Sequence, residues 1–195
     1  MLKYIIGMLF LIIWIYIISV LKRTKLDSFL FIWGSVGFFL FSLFYLSNTL
    51  ITPFLNIITT IAGWIGELTN TFSVFSNYGI LAINSIESIN LYIDFECSGI
   101  LEILTFVGMV MFFPAYKMYE KLIIQLFGIL YILFANVIRL SFIAIVTYYT
   151  GMKYYYITHT ILGRLMFLFL IIFLFYKVFT VKQILNQKVG NFNYA

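Results

Sequence analysis

Three side chains in this sequence have the types that acyl-transfer chemistry needs. Cys97 is the only thiol of the 195-residue chain, and His159 is its only imidazole. A thiolate is a good nucleophile, an imidazole can move a proton, and a guanidinium such as that of Arg139 can stabilise the oxyanion on an attacked carbonyl. Because the three residues lie far apart along the chain, only the fold can bring them together.

The composition identifies the class of protein. The chain is 64% hydrophobic and 10% charged, with a mean hydropathy of +1.08, whereas a soluble domain is about half apolar and about a quarter charged. We therefore predict an all-α polytopic membrane protein with one integral membrane domain. The net charge of +5 is modest and indicates orientation in the membrane rather than nucleic-acid binding.

The cysteine and histidine counts limit the chemistry further. One cysteine excludes an intramolecular disulfide and argues against a dithiol redox enzyme. One cysteine and one histidine cannot build a zinc site without carboxylates. We predict neither a metal nor a cofactor.

Five apolar runs approach the length of about 20 residues that spans a bilayer. They cover residues 4–21, 29–46, 100–116, 122–148 and 161–181. The domain then consists of two N-terminal spans (1–46), an extracytoplasmic segment (47–96), a three-span catalytic core (97–181) and a cytoplasmic tail (182–195).

The extracytoplasmic segment is predicted to begin with an amphipathic helix. Between residues 51 and 65 the apolar side chains recur at helical spacing, while polar ones, including Thr59, face the other way. This pattern is typical of a helix in the membrane interface with Trp64 at headgroup level, and equally of a helix packed against the other spans.

A short β-hairpin is predicted before Cys97. Residues 69–79 are rich in Ser, Asn and Thr and indicate turns. Residues 89–96 alternate between apolar and polar side chains, which predicts a strand that ends at Cys97 and pairs with residues 80–83.

The basic residues predict the orientation. If five spans alternate, eight lysines and arginines fall on one side, and only Lys3 and Lys153 lie on the other outside the spans. The eight are Lys22, Arg23, Lys25, Lys117, Lys121, Lys177, Lys182 and Lys188. The positive-inside rule then places the N-terminus outside and the C-terminus in the cytoplasm.

This orientation brings the three reactive side chains to one surface. Cys97 and His159 lie at the outer mouths of the third and fifth spans, and Arg139 lies about 26 Å along the fourth span, at 1.5 Å per residue. Each has a simpler explanation, since a lone cysteine fills apolar space, a histidine is common at the interface, and an arginine near a helix end reaches headgroups. Ionisable residues within spans are nevertheless costly and indicate a function.

Three short motifs occupy these successive outer helix ends: "ECSGI" at 96–100, "NVIRL" at 136–140 and "THTILGR" at 158–164. In this order and spacing they resemble the exosortase/archaeosortase family of membrane-embedded cysteine transpeptidases. The resemblance covers roughly residues 79–177, and the short loops are similar to the compact forms from Gram-positive bacteria.

The resemblance implies that Cys97, Arg139 and His159 are catalytic. It implies substrates that are surface proteins with a C-terminal motif, a membrane span and a basic end. The enzyme would cleave near the motif and transfer the protein to an acceptor that is not identified. Its other partner is membrane lipid, and no nucleic acid is implied.

Neighbouring residues have predicted supporting roles. Asn136 shares a helix face with Arg139, so it is expected to orient that arginine or the substrate carbonyl. Ser98 is expected to be a turn or helix-cap residue, with a serine nucleophile as the alternative, and Gly99 completes the same turn. Asp94 and Glu96 would oppose a thiolate at Cys97 unless they point toward water.

Other polar and helix-breaking residues have structural interpretations. Glu102 and Arg164 each lie five residues beyond a predicted catalytic residue, at similar depth, and an ion pair between spans three and five is expected. The alternative is that each finds other polar partners. Pro114 is expected to kink the inner end of span three.

Two other functions remain open at this point. A membrane acyltransferase could use Cys97 with lipid or glycan substrates, and labelling by a lipid acyl donor would support it. A non-enzymatic subunit or transporter component could use the polar residues to join helices, in which case Cys97→Ser would be silent. An activated thiol favours the enzymes, and an ordinary buried thiol favours the subunit.

Overall fold

The computed structural model describes residues 2–45, 47–84, 89–93, 95 and 97–184. Within them the chain is mostly helical, with a small antiparallel sheet between the third and fourth helices, which confirms the predicted class. The helices are α1 (Leu2–Arg23), α2 (Asp27–Tyr45), α3 (Ser47–Thr69), α4 (Ile100–Phe112), α5 (Met118–Thr150) and α6 (Met152–Ile184). The strands are β1 (Phe72–Phe75), β2 (Ile80–Ile83) and β3 (Ile89–Tyr92).

Five of the described helices are long and apolar enough to cross a membrane, but they are not the five predicted spans. α1, α2, α5 and α6 correspond to predicted spans. α4 has 13 residues and falls short of that length, whereas α3 reaches it. α5 has 33 residues, so it is about 50 Å long and exceeds the roughly 30 Å hydrocarbon core.

α4 is short because of Pro114. The helix ends at Phe112 instead of continuing with a kink. Proline lacks an N–H group and disfavours the helical conformation of the residue before it. Lys121 Nζ donates a hydrogen bond to the Met111 carbonyl at 2.7 Å, which satisfies one of the acceptors that a helix end leaves open.

α3 is amphipathic, as predicted, but its buried face differs in detail. Ile58, Thr59 and Ala62 are fully buried, and Trp64 on the other face is 62% exposed. The prediction that Thr59 faces away from the apolar side is wrong. Its hydroxyl donates to the Leu55 carbonyl at 2.7 Å, so the polar group is satisfied within the helix and the rest of the side chain can pack.

The sheet has the order β1–β2–β3, with both pairs antiparallel. β2 and β3 form the predicted hairpin, in which Ile80 lies opposite Tyr92. β3 ends at Tyr92 rather than at Cys97, which lies in a turn. Pairing continues to Ile93, whose N–H donates to the Gly79 carbonyl, and a turn closed by the Ser98 N–H and the Phe95 carbonyl follows.

β1 occupies part of the region that the sequence assigns to turns. Phe72 is 1% exposed and lies against Gly66 of α3. The strand has four residues, so it offers only two inward positions. That pattern is too short to be recognised among the surrounding polar residues.

The chain divides into two compact units. The first comprises Met1–Thr49 and Leu101–Ile129, and the second comprises Leu50–Ile100 and Leu130–Ala195. The single integral membrane domain expected from the sequence stays a prediction.

Within the first unit, α2 and α4 run antiparallel. Phe31, near the start of α2, packs edge-on against Phe113, just past the end of α4, with ring centroids 5.7 Å apart. Farther along α2, Phe38 lies against Gly108, which comes earlier in α4. The α1–α2 and α4–α5 connections therefore lie at the same end of this unit.

Within the second unit, α6 runs antiparallel to the latter part of α5. The Tyr131 hydroxyl donates to the Leu170 carbonyl at 3.2 Å, while Gly163 lies against Ile143. Because the helices run in opposite directions, the first turns of α6, which carry His159, come beside the last turns of α5.

Candidate active site

Cys97 lies in a tight turn between β3 and α4, and its side chain is 5% exposed. Ser98 holds this turn. Its hydroxyl donates to the Phe95 carbonyl at 2.6 Å and accepts from the Ile100 N–H at 3.4 Å. The second bond satisfies a donor that a helix start leaves open, as a helix cap does.

Gly99 permits the next step of the turn. Its φ angle is +74°, a left-handed conformation that costs glycine little and other residues more. A Cβ at this position would come within 3.3 Å of the Asn136 Nδ2 atom. Glycine therefore allows the backbone to approach Asn136 closely.

Asn136 binds the main chain of the cysteine turn. Its Nδ2 group donates to the Cys97 carbonyl at 2.9 Å, and the side chain is fully buried. This contact differs from the prediction, in which Asn136 orients Arg139 or a substrate carbonyl. The difference arises because the Gly99 turn brings a backbone carbonyl within reach of the amide.

Arg139 lies three residues beyond Asn136 and contacts the thiol directly. Its Nη2 atom is 3.6 Å from Cys97 Sγ, and the side chain is 4% exposed. The Phe167 ring packs on the guanidinium, with its centroid 5.4 Å from Cζ. A buried cation beside a thiol favours the thiolate form.

His159 approaches the thiol from α6, with its Nε2 atom 3.5 Å from Cys97 Sγ. The Tyr155 ring stacks on the imidazole, with centroids 5.4 Å apart and planes inclined by 24°. His159 lies in the π-helical turn Thr158–Leu162, a feature that is frequent at functional sites. The helix α6 begins at Met152, before the apolar run that starts at residue 161, so His159 lies within its first turns.

The structure brings the three predicted catalytic residues together around one sulfur atom. A cavity of about 20 Å³ opens beside it and is lined in part by Cys97, His159, Tyr155 and Ile143. That volume holds about one water-sized group. A nucleophile, a proton-transfer group and a fixed cation thus meet where one carbonyl group can enter.

Two supporting residues were not predicted from the sequence. Tyr155 precedes His159 by four residues, the spacing at which helical side chains are neighbours, and Phe167 follows it by eight. That periodicity was the available signal. Aromatic residues are so frequent in this chain, at 21%, that it does not distinguish them from the rest.

The remaining predicted contacts involve three carboxylates. Glu102 belongs to the first compact unit and Arg164 to the second, so their ion pair stays a prediction. Asp94 and Glu96, the carboxylates expected to oppose the thiolate, lie outside the described residues.

Comparison with known protein families gives a match over nearly the whole chain. A model of the transmembrane exosortase family matches residues 2–176. No curated protein and no solved structure matches the chain. The family match includes the N-terminal helices as well as the region that carries the three motifs.

Proposed function

The chain belongs to the transmembrane exosortase family, and we propose that it is a membrane-embedded cysteine transpeptidase. It cleaves the C-terminal sorting signal of surface proteins through a thioester on Cys97 and transfers them to an acceptor. The observation that carries this proposal is the arrangement around Cys97 Sγ, with His159 Nε2 at 3.5 Å and Arg139 Nη2 at 3.6 Å.

The first half-reaction forms the thioester. The Cys97 thiolate attacks a backbone carbonyl carbon, and the new S–C bond places a negative charge on the carbonyl oxygen. Arg139 stabilises this oxyanion, since its forked N–H donors keep their charge. His159 donates a proton to the leaving amine as the C–N bond breaks.

The second half-reaction releases the protein. An acceptor amine or hydroxyl attacks the thioester carbonyl while His159, now neutral, takes its proton. The C–S bond breaks, and the Cys97 thiolate is restored. Water in place of the acceptor gives hydrolysis.

We place the site on the extracytoplasmic face. Basic residues lie in the last turn of α1 and just after it, and others flank the start of α5, at connections that share one end of the first unit. These residues are Lys22, Arg23, Lys25, Lys117 and Lys121. The Cys97 turn directly precedes α4, so it lies at the N-terminal end of that helix, away from the connection to α5. With the basic end in the cytoplasm, the N-terminus lies outside and the C-terminus inside.

In this topology α3 stays on the outer side together with the sheet. Its exposed positions include Asn56, Thr60 and Glu67, and polar groups of this kind are costly toward lipid. α3 then lies at the membrane surface, although its length would allow it to cross. The five crossings are α1, α2, the α4 region, α5 and α6.

The proposal is tested by the processing of surface proteins in intact cells. Cys97→Ala removes the nucleophile, so precursors that keep the C-terminal span and basic end should accumulate. Ser35→Ala, a similar truncation in α2 whose hydroxyl donates to the Phe31 carbonyl of the same helix, is the matched control and should process normally. Normal processing in Cys97→Ala would refute the proposal.

A further inference from the structure

β3 forms an edge of the sheet, and among the described residues no strand pairs with its outer side. The opposite edge differs, because the Phe72 carbonyl of β1 lies against Gly66 of α3. On β3, Asn90 is exposed and Tyr92 is 73% exposed. Proteins normally cover, charge or distort a strand edge to prevent unwanted pairing, so an accessible edge indicates a use.

The hydrogen-bond pattern identifies the backbone groups that face this edge. In an antiparallel pair, alternate residues bond to the neighbouring strand. The Ile93 N–H donates to the Gly79 carbonyl at 2.9 Å. By the register, every second residue before Ile93, namely Leu91 and Ile89, also directs its backbone groups toward β2. The intervening residues, Asn90 and Tyr92, therefore direct their N–H and C=O groups away from β2.

This edge is continuous with the candidate active site. Leu91 and Tyr92 line the same cavity as Cys97 and His159. Its volume of about 20 Å³ admits one water-sized group but no large side chain. A peptide that reaches the thiol must therefore lie along the rim and insert only its carbonyl.

We propose that the peptide substrate docks in extended form as an added strand on β3. Its backbone bonds to the outward groups of Asn90 and Tyr92, and its scissile carbonyl is delivered to Cys97. The inference rests on the proposed function and specifies how that site holds its substrate. Strand addition obtains its affinity from main-chain hydrogen bonds. Substrate residues on one side of the scissile bond therefore contribute to binding through their backbone N–H groups, whatever their side chains.

The first test uses purified enzyme in detergent and acetyl-oligoalanine chloromethyl ketones of increasing length. These probes alkylate a thiol and carry no specific side chain, so their rates report backbone contacts. The rate should rise with length over the first few residues. Since alternate residues of a strand face the same neighbour, N-methylation at every second position should slow labelling about fivefold per lost hydrogen bond, and methylation at the positions between should have little effect.

The second test changes the enzyme. Tyr92→Pro removes the outward N–H, and proline is tolerated where an edge N–H faces away from the sheet. Tyr92→Ala keeps the N–H and removes the side chain, so it is the matched control. Labelling by long probes should fall about fivefold in Tyr92→Pro relative to Tyr92→Ala, while labelling by iodoacetamide should be equal in the two and report an intact thiol site.

The outcomes separate this inference from the function on which it rests. If iodoacetamide finds no activated thiol in the wild type, the proposed function fails and the docking inference fails with it. If Cys97 is activated but probe length and the methylation pattern have no effect, only the docking inference is overturned. The probe series uses unaltered enzyme, so it decides the question even if Tyr92→Pro does not fold.

Discussion

Replacing Arg139 by alanine should raise the pH at which Cys97 becomes reactive. The guanidinium Nη2 atom lies 3.6 Å from Sγ, and both side chains are buried. For unit charges at that separation, Coulomb's law gives about 1 kcal/mol in water and about 4.6 kcal/mol at an effective dielectric constant of about 20. Because one pH unit corresponds to about 1.4 kcal/mol, loss of the cation should shift the reactivity profile upward by about one to three pH units.

The assay is the rate of alkylation by iodoacetamide as a function of pH, with purified protein in detergent. The chain contains one cysteine, so every thiol alkylation reports on Cys97. Arg139→Lys keeps a positive charge without the forked geometry and should shift the profile less than Arg139→Ala. Arg164→Ala removes an exposed arginine from α6 and should follow the wild type.

A profile in Arg139→Ala that overlays the wild type would refute the reasoning, because the guanidinium would then have no influence on the charge of the thiol. A lower maximal rate at an unchanged midpoint would refute it as well, since that result indicates altered access to the sulfur. Equal shifts in Arg139→Ala and Arg164→Ala would assign the effect to the overall charge of the protein.

Three further substitutions test the support of the cysteine turn. Asn136→Ala leaves the buried Cys97 carbonyl without its donor and should lower the free energy of unfolding by about 1 to 3 kcal/mol, measured by thermal unfolding in detergent. Gly99→Ala forces a left-handed alanine and should cost about 1 to 2 kcal/mol, whereas Gly63→Ala, which makes only an ordinary contact, should cost less. Ser98→Ala should lower stability by about 0.5 to 2 kcal/mol while substrate processing persists. A loss of processing as complete as in Cys97→Ala would instead identify Ser98 as a nucleophile.

The proximity of the reactive residues could be predicted from the sequence because it depends on depth in the membrane. Hydropathy and the basic residues place Cys97 and His159 at one surface, and the fixed rise of a helix places Arg139 at the same level. The partner of Asn136 could not be predicted in this way. It depends on where the Cys97 carbonyl points, which the left-handed Gly99 determines.

The bounds of the long apolar helices were harder to predict than their number. Hydropathy gives only the length of an apolar run. The predicted run therefore continued past the end of α4 to residue 116, and the run in α6 was predicted to begin only at residue 161, although the helix begins at Met152. The helix ends depend instead on single residues and tertiary contacts. β1 was not predicted because its four residues form too short an alternating pattern among the surrounding polar residues.

The most direct test of the thioester on Cys97 is to trap it with hydroxylamine. Membranes that contain the wild-type enzyme and its surface-protein precursors are incubated with hydroxylamine, and the C-termini of the processed proteins are determined by mass spectrometry. We predict C-terminal hydroxamates with the wild type and unprocessed precursor with Cys97→Ala, because a strong nucleophile intercepts a thioester. Processing that persists in Cys97→Ala, or wild-type products that never carry the hydroxamate, would contradict a covalent intermediate on this cysteine.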